Sequence, residues 1–142
     1  MIVRAELQAL VPHQGTMCLL DSVKHWDDTR IVCRSSAHRR PDMPLREPNG
    51  RLRSVHLCEF GAQATAVHGG LLSRATGAAP RPGFLVALRG VVLHVPWVEA
   101  DGALTIDAER LMGGDSGWTY AFHVRHREHV LAEGRVAVML QG

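Results

Sequence analysis

Glu59 and Gln63 stand four residues apart in the stretch RSVHLCEFGAQATAVHGGLLSRA, residues 53–75, and His56 stands three before Glu59. At helical spacing all three share one face. A carboxylate in so apolar a helix is costly unless it is paired, protonated or used. A carboxyl of raised pKa together with a histidine supplies an acid and a base near neutral pH. Two further histidines are candidates for the base: His13 in the turn Val11-Pro12-His13-Gln14-Gly15, and His38 in a proline-broken stretch. Each residue also has a plainer reading. Glu59 would cap a backbone group or pair with an arginine, and Gln63 would be an amide satisfied in the core. His13 would fix its turn, His38 would be a solvated loop histidine, and His56 would be an ordinary helix-start residue.

The elements that position these residues follow from pattern. Apolar residues cover most of the circumference of 53–75, so the spacing predicts a long helix buried on more than one side. Roughly twenty residues of helix span about 30 Å, the width of a small domain. Residues 2–10 hold apolar positions for a helical turn or two. Residues 17–24 and 29–36 read as strands joined at Asp27-Asp28. Residues 37–51 hold Pro41, Pro44, Pro48 and Asn49-Gly50, so they form a long loop of the kind that is often functional. Residues 84–95 predict a strand with Gly90 as a bulge, 103–111 a strand of period two, and 118–125 with 130–140 a hairpin. Two strands, a helix and four strands without βαβ alternation imply one α+β domain over residues 1–142, with a mainly antiparallel sheet against the helix.

Composition narrows the function. With 142 residues, 46% hydrophobic and 21% charged, the chain builds a sizeable core. A net charge of +2 is too small to argue for nucleic acid, and no apolar run reaches membrane-span length. The N-terminus shows no secretory pattern and Cys18, Cys33 and Cys58 form no CxxC pair, so free thiols and a cytoplasmic location are expected. His123, His126 and His129 fall on a strand end and turn, pointing to different sides, so a solvated hairpin is expected and no metal site. Gly113-Gly114-Asp115-Ser116-Gly117 has no helix after it to bind phosphate. No Gly-x-Ser-x-Gly elbow marks a serine hydrolase.

Two stretches carry a family resemblance. LVPHQGTMCLLDSVKHWDD resembles the LPHR-P-F-L-L-V-D-R-V opening of hydroxyacyl-carrier-protein dehydratases, and HLCEFGAQATAVHGGLL resembles their E-x-M-A-Q-A helix. The combination is similar to the predicted 3-hydroxyacyl-carrier-protein dehydratases of aryl polyene-type pathways. Their loop G-H-F-P-G-x-P-x-x-P-G is replaced here by AHRRPDMPLREPNG. The resemblance implies the hotdog fold, a long central helix wrapped by a curved antiparallel sheet. It implies dehydration of a 3-hydroxyacyl thioester to the trans-2-enoyl thioester, with Glu59 as general acid. It implies His13 as base, with His38 and His56 as alternatives, and Gln63, Asn49 and Gly50 at the substrate. No cofactor is expected, because the phosphopantetheine arm belongs to the acyl carrier protein that is the expected partner. A homodimer is expected, with residues 84–95 as the edge strand at its interface. Two rivals stay open on the same fold: an acyl thioesterase in which Glu59 activates water, and a non-catalytic acyl-binding protein.

Overall fold

In the computed structural model, which describes residues 1–10, 15–77 and 83–140, the apolar stretch around Glu59 is helical. In chain order the elements are β1 (Ile2–Val3), α1 (Arg4–Leu7), β2 (Ser22–Trp26), β3 (Arg30–Ser35), α2 (Leu57–Thr76), β4 (Gly83–Leu93), β5 (Leu104–Gly114), β6 (Gly117–His126) and β7 (His129–Leu140). A single 3-10 turn, Ser54–His56, leads into α2. Gly77 ends the helix at φ 71°, where its N–H reaches back to the carbonyls of Ser73 and Arg74. A left-handed residue there satisfies carbonyls that a straight helix leaves open, and glycine adopts it without a Cβ clash.

All strands pair antiparallel in one seven-stranded sheet of order β1-β2-β3-β5-β6-β7-β4 among the described residues. The chain therefore crosses from β3 through α2 to the far edge before filling the middle. One cross-strand row shows how the core face is set: Cys33 pairs Ile106, Ile106 pairs Val124, and Val124 pairs Ala132. All four are buried, because side chains at equal register share a face. On that face α2 lies very close to β6. A Cβ added to Gly61 would stand 2.5 Å from the Phe122 ring, so only glycine fits. This is the expected hotdog architecture.

Two expectations are corrected in detail. The strand predicted over 17–24 is displaced to Ser22–Trp26, because Cys18, Leu19 and Leu20 are buried beside the helix and not in a ladder. Residues 2–3, predicted as part of a helical turn, instead pair with Ser22 and Val23 at the sheet edge. At the opposite edge β4 pairs only with β7 among the described residues, and Leu85, Val86, Leu88, Val91, Val92 and Leu93 are exposed.

Candidate active site

Glu59 lies in the first turn of α2 and is half-buried. It belongs to a stripe, Val55, Glu59, Ala62, Ala66 and Gly69, that repeats every three to four residues. Each member is at least partly exposed, while Leu57, Phe60, Ala64, Val67 and Leu71 are buried against the sheet. The expected burial on more than one side is therefore incomplete: the described residues leave one stripe of the helix uncovered, and Glu59 sits in it. His56 is half-buried at the end of the 3-10 turn, one turn before Glu59.

The stripe runs up to an open cleft of about 420 Å³. Arg53, Ser54 and Val55 line one wall, and Leu93, His94, Val95 and Pro96 line the other. The wall is pinned where Ser54 N–H donates to Pro96 O at 3.1 Å and Val98 N–H donates to Leu52 O at 2.8 Å. Beside it, the guanidinium groups of Arg51 and Arg53 lie 3.9 and 4.7 Å from the Trp97 ring centre. Arg53 also pairs with Glu47. A second cleft of about 250 Å³ behind this stack is lined by Arg46, Gly50, Arg51, Leu52, Trp97, Val98 and Glu99.

Gln63 turns its amide to the backbone. It is 1% exposed, and its amide is used at both ends: Nε2 donates to Met17 O at 2.7 Å and Oε1 accepts from Leu19 N–H at 2.9 Å. It is a clamp that holds residues 17–19 on α2, one helical turn from Glu59. Asn49 likewise serves the backbone, its Oδ1 accepting Arg51 N–H at 2.9 Å, while Gly50 takes φ +84° in the same turn. Of the residues expected at the substrate, Gly50 lines the second cleft.

His38 is not the solvated histidine its loop suggested. It is 4% exposed, and its Nε2–H donates to Ala100 O at 3.0 Å. Its Nδ1 is buried without a partner among the described residues. Burial lowers its pKa, with the Ala100 bond opposing and Arg39 adding to the shift, so the ring is neutral near pH 7. The loop around it is held. Arg46 donates to His38 O at 2.9 Å, Arg40 O at 2.8 Å and Gly50 O at 3.1 Å. His13 lies outside the described residues.

His94 and His68, which the sequence did not single out, and His123, expected on a solvated hairpin, are each tied to partners. His94, just past the end of β4, meets Glu133 of β7, Nε2 to Oε2 at 2.8 Å. His123 Nδ1 meets Asp107 Oδ1 at 3.0 Å, and Arg125 Nε donates to Asp107 Oδ2 at 3.2 Å. His68, fully buried in α2, donates from Nε2 to Asp27 O at 2.7 Å and accepts from the Tyr120 hydroxyl at Nδ1, 2.6 Å away. The His94 and His123 pairs depend on pairing between strands and the His68 bonds on how α2 packs, and no local motif carries either. Burial holds the Cys33 thiol up at about 12 and raises that of Cys58, so neither is poised as a nucleophile. No helix among the described residues is long and apolar enough to cross a membrane.

A partly covered helix bearing one carboxyl, set against an antiparallel sheet beside a cleft, defines a hotdog protein. The chain belongs to the ApeP-like dehydratase family, whose model matches residues 5–141. It is an enzyme of the dehydratase class. Among solved structures it is similar to the dehydratase heterocomplex ApeI:P from Xenorhabdus doucetiae, at 23% identity and TM-score 0.86, covering 96% of this chain and 91% of that one. AziG of S. sahachiroi shares 22% identity and a TM-score of 0.62, covering 92% of this chain and 97% of that one. A hypothetical thioesterase with coenzyme A from Streptococcus pneumoniae TIGR4 shares 12% identity and a TM-score of 0.64, covering 85% of each chain. These likenesses show the fold. No curated protein matches the chain.

Proposed function

We propose that the protein removes water from a 3-hydroxyacyl thioester carried on an acyl carrier protein, giving the trans-2-enoyl thioester, in an aryl polyene-type pathway. The observation that carries this reading is Glu59, the acidic residue in the first turn of α2, on the uncovered stripe that leads to the cleft. Elimination needs a base at C2, an acid at the leaving hydroxyl, and hydrogen-bond donors at the thioester carbonyl. Glu59 protonates the hydroxyl as it leaves. The base role falls to His13, which the resemblance names, and the Gln63 clamp supports it by fixing the segment that follows residue 14 one turn from Glu59. His38 is a weaker choice, since its ring is spent on Ala100 and shut from solvent.

The uncovered stripe of α2 and the bare β4 edge are covered by a second hotdog chain, and the site is completed at that border. The relative from Xenorhabdus doucetiae is a heterocomplex of two dehydratase chains, which supports such pairing. The setting is cytoplasmic, in keeping with three buried free thiols. The test is an assay with 3-hydroxyacyl-carrier-protein substrates, followed by mass spectrometry. Loss of water from the carrier-bound acyl group is expected. A free acid as product would point to thioester hydrolysis instead, and no reaction would leave an acyl-binding protein.

A further inference from the structure

The second cleft lies along a seam between two segments. Arg46, Gly50, Arg51 and Leu52 stand on one side, and Trp97, Val98 and Glu99 on the other. One end of the seam is held by backbone: Val98 N–H donates to Leu52 O at 2.8 Å, and Arg53 bridges Trp97. The other end is held by side chains. His38 Nε2–H donates to Ala100 O at 3.0 Å, and the Arg39 guanidinium donates to Asp101 O. Both side chains come from one 3-10 turn, Ala37–Arg39.

Of the two, His38 is the one that changes charge near neutral pH. A carbonyl oxygen only accepts, so Nε2 carries the proton and the neutral ring keeps Nδ1 as an acceptor. Nδ1 is buried without a partner among the described residues. A second proton there would be a buried donor with no acceptor, a costly state for a polar group. It would also set a positive charge beside Arg39 and Arg46 of the loop and His126 of β6. The carboxylate nearby on the facing segment is that of Asp101, and it is engaged by His126 at 3.3 Å and Arg127 at 3.9 Å. The ring can hydrate a second proton only by leaving its seat, and the Ala100 bond goes with it. We propose that His38 is a pH-sensitive pin of the second cleft: neutral, it fastens residues 97–101 to the loop 37–51, and on acidification it swings out and lets the two segments part. Arg46 passes the motion on, because the guanidinium that bonds His38 O also holds Arg40 O and Gly50 O, and Gly50 lines the cleft. The device does not depend on which reaction the protein carries out.

Residue-resolved amide hydrogen exchange on the full chain reads the seam, at about pH 7.5 and about pH 5.5 and corrected for the intrinsic effect of pH. The reporting amides are Val98, Arg40 and Met43, which donate to Leu52 O, Ala37 O and Arg40 O. A released ring titrates near the ordinary 6.5, and the seated one below it. Opening, and exchange with it, should therefore rise by up to about tenfold between the two conditions. His38→Gln keeps a donor for Ala100 O and does not titrate, so its exchange should be the same in both. His38→Ala has no donor and should exchange fast in both. Ring nitrogen shifts should show His38 as the Nε2–H tautomer in the closed state. His68→Gln should leave the rise in place, which separates local opening from a loss of global stability. A rise of equal size in His38→Gln, or a His38 ring that becomes charged while these amides stay protected, would overturn the proposal. If His38→Ala does not fold, wild type and His38→Gln decide.

Discussion

At the end of the sheet formed by β1, β2 and β3, buried polar groups are met by partners from distant elements. His68 links α2 to Asp27 O and the Tyr120 hydroxyl, Gln63 takes up Met17 O and Leu19 N–H, and Asp21 receives Ser36 N–H at 2.6 Å and Arg40 at 2.5 Å. At the other end, β4 shows six large apolar side chains to solvent, and among the described residues no strand lies over the α2 stripe that carries Glu59. The first end is closed by its own chain and specifies one arrangement, because each buried donor or acceptor would be left unmet in any other. On the reading proposed above, the second end is finished by a second chain. The candidate acid stands on the border between them. That reading makes stability and catalysis separable, with the closed end carrying the first and the open end the second.

The sharpest test of that separation is Glu59→Gln. Turnover should fall by about 10²–10⁴-fold, roughly 3–5 kcal/mol in the barrier, while the thermal midpoint stays within about a degree or two. Mass spectrometry of the acyl carrier and a thermal melt read the two quantities. A folded variant of unchanged rate would remove Glu59 from the chemistry and end the contrast.

Gln63→Leu should do the reverse. It leaves Met17 O and Leu19 N–H buried without partners, at a cost of about 2–4 kcal/mol for two unmet backbone groups. Urea unfolding measures this, and a loss below about 1 kcal/mol would mean that residues 17–19 are held by something else.

Smaller in size is a dependence on pH. Burial lowers the pKa of both His38 and His68 below the ordinary histidine value of 6.5. The unfolded chain then binds more protons than the folded one as the pH falls through that range. Their contribution to stability is complete above about pH 6.5 and is lost as the pH falls through the folded values. The urea midpoint should drop between about pH 7.5 and about pH 5.5, and His68→Gln should reduce the drop. A midpoint that is flat or rises on acidification would contradict the burial of these rings.

Least of all should happen at the open edge. Val86→Thr, on an exposed position of β4, should change the stability of the isolated chain by less than about 0.5 kcal/mol. A large loss would show that the edge is already covered.

The closed end was the more legible in its elements and the less legible in its wiring. The period-two pattern over 103–111 and the hairpin read over 118–125 and 130–140 located β5, β6 and β7, and the apolar stretch located α2, because these signals come from burial on a face. The charged loop 37–51 read as solvated, yet Arg46 ties three of its carbonyls together and buries His38. An arginine's reach to backbone oxygens leaves no periodic trace. Gln63 drew attention for its spacing from Glu59, which was informative about the face of the helix and silent about which backbone the amide would meet. The open edge, by contrast, was visible in advance: residues 84–95 are apolar on both alternating sets, as suits a strand that buries both faces against something.

The Gln63 clamp also bears on the order of folding. Its two bonds close loops of 44 and 46 residues, and such closure costs chain entropy before any contact repays it. The helix can form early from local interactions, but residues 17–19 cannot dock on it until β2 and β3 have been laid against the growing sheet. The segment around the clamp is therefore a late arrival on the folding path. Mutations at Gln63 should leave the folding rate nearly untouched and speed unfolding instead, so that the acid and the chain segment beside it come together last and part first.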